Sequence, residues 1–390
     1  MSALPRPAKV AIVHEWFTAM RGGEKCVEAL CELYPDATLF ALLHNRGSVS
    51  PALERMPIRT SFIQRLPFAA TRYRHYLPLF PAAVSTFDTS EFDLVISSSH
   101  CVAKGVRTPP GVLHISYCYT PMRYIWDLYD DYFSPERAGL VTRLGMRLAL
   151  QPLRRWDVAS ASRPHHFIAI SEHIRQRIRS IYGKPSDVIY PPVDTDRFQL
   201  SRHDEGFFLV AGALVPYKRV DLAVQAFSRS GDRLMVAGDG PELGRLRKLA
   251  APNVTFTGWV SDEELQSLYE RCTALVFPGE EDFGIVPVEV MACGKPVLAY
   301  ARGGACETVL DRPEGGTGVH FPHQTVDSLL DAVERLRATR FDPSVLRSHA
   351  LSFGREVFKA RFRGYVEMRR SAGPYSGKPL PEKQLARFPR

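Results

Sequence analysis

The stretch that most constrains the fold runs over 274–309. Ala274, Leu275, Val276 and Phe277 form a short apolar, β-prone run, the pattern of a parallel strand buried on both faces. Pro278 and Gly279 end it. Pro287 suits the first turn of a helix, where its missing N–H costs nothing, and the spacing predicts that helix over 288–293. Gly294 then fits a C-terminal cap and Pro296 forbids continuation. Val297, Leu298, Ala299 and Tyr300 make the next strand. A strand, loop, short helix and strand in so few residues point to a parallel α/β sheet. They place 282–287 as a helix N-terminus at the carboxyl edge of that sheet. Such edges bind ligands, and free N–H groups there favour an anion.

Two carboxylates flank this turn. Glu281 sits in the loop and Glu289 on the helix. Carboxylates accept hydrogen bonds from hydroxyls, so the pair suits a polyhydroxylated ligand with a phosphate between. Either glutamate alone reads equally well as a solvated acid; the whole run favours the ligand.

The run reads E-D-F-G-I-V-P-V-E-V-M-A-C-G-K-P-V from Glu281 to Val297. It resembles the E-x7-E signature of the retaining glycosyltransferases of family 4, written E-G-F-G-x-x-x-x-E-A-M-A-x-G-x-P-V, which have the GT-B fold. The resemblance implies that Glu281 binds hydroxyls of a donor sugar and that Glu289 binds a ribose. The backbone of Phe283, Gly284 and Ile285 would hold sugar and diphosphate.

The rest of the chain agrees with a large soluble α/β enzyme. Its 390 residues exceed one ordinary core and suggest about two domains. Apolar residues make up 45% and charged residues 24%, as in globular proteins. The net charge of +8 favours acidic partners such as nucleotides, phosphates or anionic lipids. The seven cysteines contain no C-x-x-C pair, which reads as reduced thiols in a cytosol rather than zinc or disulfides. The N-terminal residues contain no apolar leader-like run, and no stretch approaches bilayer length.

Taken in order, 9–14 is a first strand, followed by Gly22-Gly23 opening a helix. A glycine pair there is a phosphate or sugar approach site or a plain structural turn. Beside the later signature it resembles the family's N-terminal Gly-Gly loop. Residues 59–83 are rich in arginine and aromatics. They suit a membrane surface or a lipid-linked acidic acceptor, or equally a solvated basic face. Strands over 92–96 and 113–117 end at His100 and Tyr119-Thr120-Pro121-Met122-Arg123, so His100, Tyr119 and Arg123 are acceptor or donor-sugar candidates. The family commonly has histidine near Tyr119. Residues 134–158 read as a basic amphipathic helix broken at Pro152. Asp194 and Asp196, after Pro191-Pro192, read as a turn rather than a metal site.

In the second half, Gly212 to Arg219 resembles the family's G-R-L-x-x-x-K-G. Its lysine and arginine bind the donor diphosphate. Lys218 matches, the arginine position is Ala213, and Arg219 or an arginine of the first domain is a candidate substitute. Trp259 and Val260 fall where the family reads the base. Ser261 and Glu264 form a capping box. Residues 344–370 read as helical and amphipathic.

The expected architecture is two Rossmann-like parallel-sheet domains facing across a cleft. Residues 1–197 form the acceptor domain and 198–352 the donor domain. Residues 353–372 form a helix returning to the first domain, and 373–390 a disordered tail. The resemblance implies transfer of a hexose with retention, and its phrases are most similar to bacterial enzymes that move mannose from GDP-mannose during O-antigen or exopolysaccharide synthesis. Glu281 and Lys218 are the catalytic candidates. No cofactor, metal or nucleic acid is expected. The partners are a nucleotide sugar and a saccharide acceptor, polyprenyl-diphosphate-linked in this reading. The location is cytoplasmic, peripheral at the inner face of the membrane. A UDP-sugar enzyme of the same fold and a non-catalytic sugar-nucleotide-binding protein are the alternatives.

Overall fold

The computed structural model describes residues 8–126 and 139–371. The tail expected over 373–390 and the start of the helix expected over 134–158 lie outside them. The chain divides into two compact units, Met1–Pro191 with Phe358–Arg390, and Pro192–Val357.

The first unit is built on a seven-stranded parallel sheet. Its strands are β1 (Val10–Phe17), β2 (Thr38–His44), β3 (Ile58–Thr60), β4 (Leu94–Ser99), β5 (Leu113–Cys118), β6 (His166–Ala169) and β7 (Ser186–Val188). They lie in the order β3-β2-β1-β4-β5-β6-β7. Every residue of β1, β4 and β5 is buried, as expected of strands covered on both faces. The strand order reverses between β1 and β4, so the connections leaving these neighbours depart in opposite directions.

The second unit repeats the plan with six parallel strands. These are β8 (Phe208–Ala211), β9 (Leu234–Ala237), β10 (Val254–Gly258), β11 (Ala274–Phe277), β12 (Val297–Tyr300) and β13 (Gly318–Phe321). Their order is β10-β9-β8-β11-β12-β13, with the reversal between β8 and β11.

Two expectations need correction. The domain boundary falls at Pro191–Pro192, ahead of the 197/198 expected. The connecting segment belongs to the second unit because Val193 N–H donates to Phe353 O at 3.0 Å, Asp194 pairs with Arg355 at 3.2 Å and Arg347 donates to Phe198 O at 2.7 Å. The helical residues expected over 344–370 form two helices, Pro343–Leu351 and Arg355–Ser371. Between them Gly354 forms a bridge with Val193, and a Cβ on it would lie 3.0 Å from Leu351 O and 3.1 Å from Thr195 Oγ1. The helix Leu140–Ser160 runs through Pro152 instead of breaking there. Pro152 and Leu148 are both exposed, so water can take the carbonyl that proline leaves without a donor.

The Arg355–Ser371 helix ends in the first unit. There Phe358 and Phe362 pack on the Tyr117 ring at 5.6 and 6.0 Å. Tyr365 Oη and Arg369 Nη2 donate to Asp187 Oδ2 at 3.0 and 2.8 Å. In the core of the same unit, fully buried Lys104 is ion-paired to fully buried Asp157. The ammonium also lies over the Trp156 and Tyr182 rings, at 5.4 and 5.0 Å. Asp157 Oδ2 accepts from Trp126 Nε1 at 2.8 Å and Tyr182 Oη at 2.9 Å. Removing one buried charge strands the other, at about 3–5 kcal/mol. Lys104→Met should therefore lower the urea midpoint of the first unit sharply. Lys104→Met/Asp157→Asn should recover most of the loss, because asparagine still accepts from Trp126 and Tyr182.

Candidate functional site

Each unit gathers its polar chemistry where its strand order reverses, beyond the carboxyl ends of the two diverging strands. Ligands of open α/β sheets bind at such points.

In the second unit the loops after β8 and β11 meet. Their backbones approach so closely that only glycine fits. A Cβ on Gly279 would lie 2.8 Å from Lys218 Cα and 3.0 Å from Tyr217 O. A Cβ on Gly303 would lie 2.3 Å from Glu281 O, and Gly304 N–H donates to that same oxygen at 2.8 Å. This packing brings Lys218 Nζ to 2.9 Å from Glu281 Oε1, with both side chains about four-fifths buried at 18% and 22% exposure. The two residues proposed from sequence as catalytic are thus in contact. A small cavity ends against them and is lined also by Gly212, Ala213 and Gly279.

Next to this pair Gly284 takes φ 88° and starts the helix Ile285–Ala292. That helix begins ahead of the 288–293 expected, with Pro287 still in its first turn. Phe283 is buried and packs edge-on against Phe353 at 5.6 Å. Glu289 accepts from Tyr269 Oη at 3.1 Å, so its carboxylate is held by the neighbouring Asp262–Arg271 helix. The Ser261–Glu264 capping box is formed, with bonds of 3.2 and 3.0 Å. Trp259, on the loop after β10, is 78% exposed, with half-buried Val260 beside it. Ala213 is exposed. Arg219 has a left-handed backbone, φ 51°, and its guanidinium is engaged by Asp221 and Gln324.

In the first unit the helix Gly22–Leu33 opens beside the end of β1. Gly23 packs on His14 and Tyr119; a Cβ there would lie 3.3 Å from His14 Cε1 and 3.8 Å from Tyr119 Cε2. Tyr119 Oη donates to Gly23 O at 3.1 Å and shares a 2.8 Å hydrogen bond with Ser98 Oγ. Gly22 and Gly23 therefore lie beside Tyr119, and the His100 ring is 6.3 Å from that of Tyr119. Arg123, half-buried, begins the Arg123–Trp126 helix.

The centre of this cluster is Glu15, which motif reading missed. Its Oε1 accepts from Ser99 Oγ and from the N–H groups of His100, Cys101 and Ala103, at 2.9–3.2 Å. Its Oε2 lies 3.1 Å from His100 Nδ1. Burial pushes this carboxyl up, but the charge and hydrogen bonding of His100, the charge of His14 and the Cys101 N–H outweigh it and hold it down at about 2. His14 is also fully buried, and burial alone would lower its pKa. Glu24, with Oε1 at 3.6 Å, and Glu15 raise it instead. Glu24 is depressed by His14 in turn, against its own burial. The one sequence signal for this network was a His-Glu pair inside an otherwise apolar, doubly buried strand, since buried charges need partners.

The sign of the pH dependence follows. The folded pKa of Glu15 lies below its ordinary 4.5, so its stabilisation is full above about pH 4.5 and is lost as pH falls towards 2. The folded pKa of His14 lies above 6.5, so its stabilisation is full below that pH and is lost as pH rises through the raised value. Glu15→Gln should cost on the order of 3 kcal/mol at neutral pH. It should also flatten the acid limb of stability against pH, as read by tryptophan fluorescence in urea.

Comparison with known proteins adds the following. The family model "Glycosyltransferase Family 4" matches residues 20–197, and "Glycosyl transferases group 1" matches residues 193–347. A GDP-mannose-dependent alpha-(1-6)-phosphatidylinositol monomannoside mannosyltransferase of Mycobacterium tuberculosis is 34% identical over 226 residues, 50% of this chain and 57% of that protein. The O-antigen chain mannosyltransferase RfbU of Salmonella typhimurium is 31% identical over 151 residues, 36% of this chain and 43% of that protein. In both, the match spans less than two thirds of the relative's length. Among solved structures, sucrose-phosphate synthase from Thermosynechococcus elongatus aligns with a TM-score of 0.69 at 18% identity, covering 94% of this chain and 100% of that one. The lipopolysaccharide outer core galactosyltransferase WaaB aligns with a TM-score of 0.66 at 17% identity, covering 93% and 99%. These structural likenesses are likenesses of fold.

Proposed function

The chain belongs to glycosyltransferase family 4 and has the GT-B fold, and on that premise we propose that it transfers mannose from GDP-mannose to a lipid-linked saccharide, with retention of configuration, in the assembly of an O-antigen or exopolysaccharide. The observation that carries this reading is the Lys218–Glu281 pair at 2.9 Å, at the strand-order reversal of the second unit. The mannosyl donor is supported by the two mannosyltransferases named above.

In this reading the donor separates the pair. The diphosphate takes over the Lys218 ammonium, and sugar hydroxyls take over the Glu281 carboxylate. The leaving diphosphate gains negative charge as the glycosidic bond breaks, so a fixed cation beside it lowers the barrier. The N–H groups that open the Ile285–Ala292 helix add to the same field. Glu289, oriented by Tyr269, holds the ribose. Tyr119, tied to Gly23 O and Ser98, stands where the family has histidine and is an acceptor-contact candidate.

Thermal-shift measurements with GDP-mannose and with UDP-sugars test the donor directly, because a ligand that binds only the folded state raises the midpoint with concentration. GDP-mannose should stabilise and UDP-glucose should not; the reverse order selects the UDP-sugar alternative. Lys218→Ala should lower turnover by roughly two to three orders of magnitude. Glu281→Ala should abolish transfer while GDP still binds. A wild-type protein that binds GDP-mannose and neither hydrolyses nor transfers it would support the non-catalytic alternative.

The acceptor's lipid carrier calls for a membrane surface, and the first unit has a fitting one. Phe68 is 73% exposed and sits at φ 55°, a backbone region costly for a bulky residue. Leu79, Leu144 and Leu148 are exposed, as are Arg65, Arg72 and Arg147. The helix bearing Leu144, Arg147 and Leu148 shares a core with the 73–79 turn through Met146, Leu153, Tyr73 and Leu77. Apolar and cationic groups together suit an anionic bilayer. Among the described residues no helix is long and apolar enough to cross a membrane. Phe68→Asp/Leu148→Asp should abolish cosedimentation with phosphatidylglycerol vesicles and leave the GDP-mannose thermal shift intact. Equal binding of wild type and variant would discard the surface.

A further inference from the structure

We infer that Arg219 is a positioning residue that locks the two donor loops together through Gln324, and that it does not itself bind the donor diphosphate. The inference rests on the reading that Lys218 and Glu281 hold the donor.

The contacts form a closed ring. Arg219 follows Lys218 in the chain. Its Nη1 donates to Gln324 Oε1 at 3.1 Å, and its Nε donates to Asp221 Oδ1 at 3.2 Å. Gln324 Nε2 then donates to Pro278 O at 2.8 Å. Pro278 leads through Gly279, which packs on the Lys218 backbone, to Glu281, and Glu281 returns to Lys218. The loops after β8, β11 and β13 are thus tied at one point. The amide orientation of Gln324 is required, since turning it would set donor against donor and acceptor against acceptor.

Two features separate a brace from a ligand cation. The guanidinium gives its Nε–H to a carboxylate and an Nη1–H to an amide oxygen, so its charge is already paired and its orientation is fixed by protein groups. The backbone at Arg219 is left-handed, φ 51°, where glycine is the ordinary occupant. A side chain kept in that conformation is held by its contacts, and the contacts here lead to the Pro278 carbonyl. Arg219 therefore fixes the geometry of Lys218 and Glu281. A misplacement near 1 Å at such groups can cost about a hundredfold in rate.

The test is a double-mutant cycle on the full chain with GDP-mannose as donor. Arg219→Ala and Gln324→Ala should each lower kcat, by roughly ten- to a hundredfold, with a smaller change in KM for GDP-mannose. The double variant should be no worse than either single one, because both cut the same ring. A rise in KM confined to Arg219→Ala, with Gln324→Ala like wild type, would mean direct diphosphate binding and would overturn the inference. Arg219→Gly separates backbone from side chain: it frees the left-handed position but still removes the brace, so it should stay slow. Recovery of wild-type kcat in Arg219→Gly would also overturn the proposal. Amide hydrogen exchange of the free protein at 279–281 supplies a readout independent of donor identity. It should accelerate in both single variants, and unchanged exchange would refute the brace. A wild-type protein inert to GDP-mannose, with that acceleration present, would instead count against the donor assignment.

Discussion

The constraint on which this structure depends is the reversal of strand order inside a parallel sheet. Strands β1 and β4, and again β8 and β11, lie side by side while their connections leave in opposite directions. No helix can cover the gap this opens at the carboxyl ends. Backbone N–H groups, strand-end side chains and loop glycines all converge there. Both units place their most unusual chemistry at that position: the buried Glu15 network in one, the Lys218–Glu281 pair in the other.

The two sites solve different electrostatic problems. Glu15 and His14 are fully buried, and such charges persist only when matched. Three backbone N–H groups and a serine hydroxyl hold one Glu15 oxygen, and His100 faces the other. The carboxylate therefore serves as a rigid anchor for the loop carrying His100 rather than as a group that exchanges protons near neutrality. Lys218 and Glu281 keep some exposure, and a polar ligand can replace each as the other's partner.

Close backbone packing connects these sites to the fold. Gly279, Gly303 and Gly304 let three loops touch where any Cβ would collide, and the Arg219–Gln324–Pro278 ring closes that contact from the outside. Strain at Arg219 is tolerated because several bonds determine its position together. In the first unit the Lys104–Asp157 pair performs a comparable task. It pins the turn that follows His100 to the Leu140–Ser160 helix, so core stability and site geometry are linked.

The order of strands and helices was legible in the sequence because each buried parallel strand is a short apolar run closed by glycine or proline. The E-x7-E segment, Lys218, the Gly22-Gly23 turn and the Ser261–Glu264 cap were legible because each is local: its residues lie within one loop or one helical turn. The close approach of Gly354 to Val193 and Thr195 was not, since those residues lie far away in the chain. Nor was the passage of a helix through Pro152, which depends on which face meets water. His14 and Glu15 were visible as polar residues in an apolar strand, yet their partners His100, Glu24 and the 101–103 amides come from other segments. Arg219 was read as a spare cation, and only the tertiary structure brings Gln324 and Asp221 to its guanidinium. By itself the sequence determined the parallel α/β plan and the chemical character of the 278–289 loop, since periodicity and turn chemistry act over a few residues. The tertiary structure alone decided which charges neutralise one another, because that depends on distances across a reversed sheet and no local pattern records them.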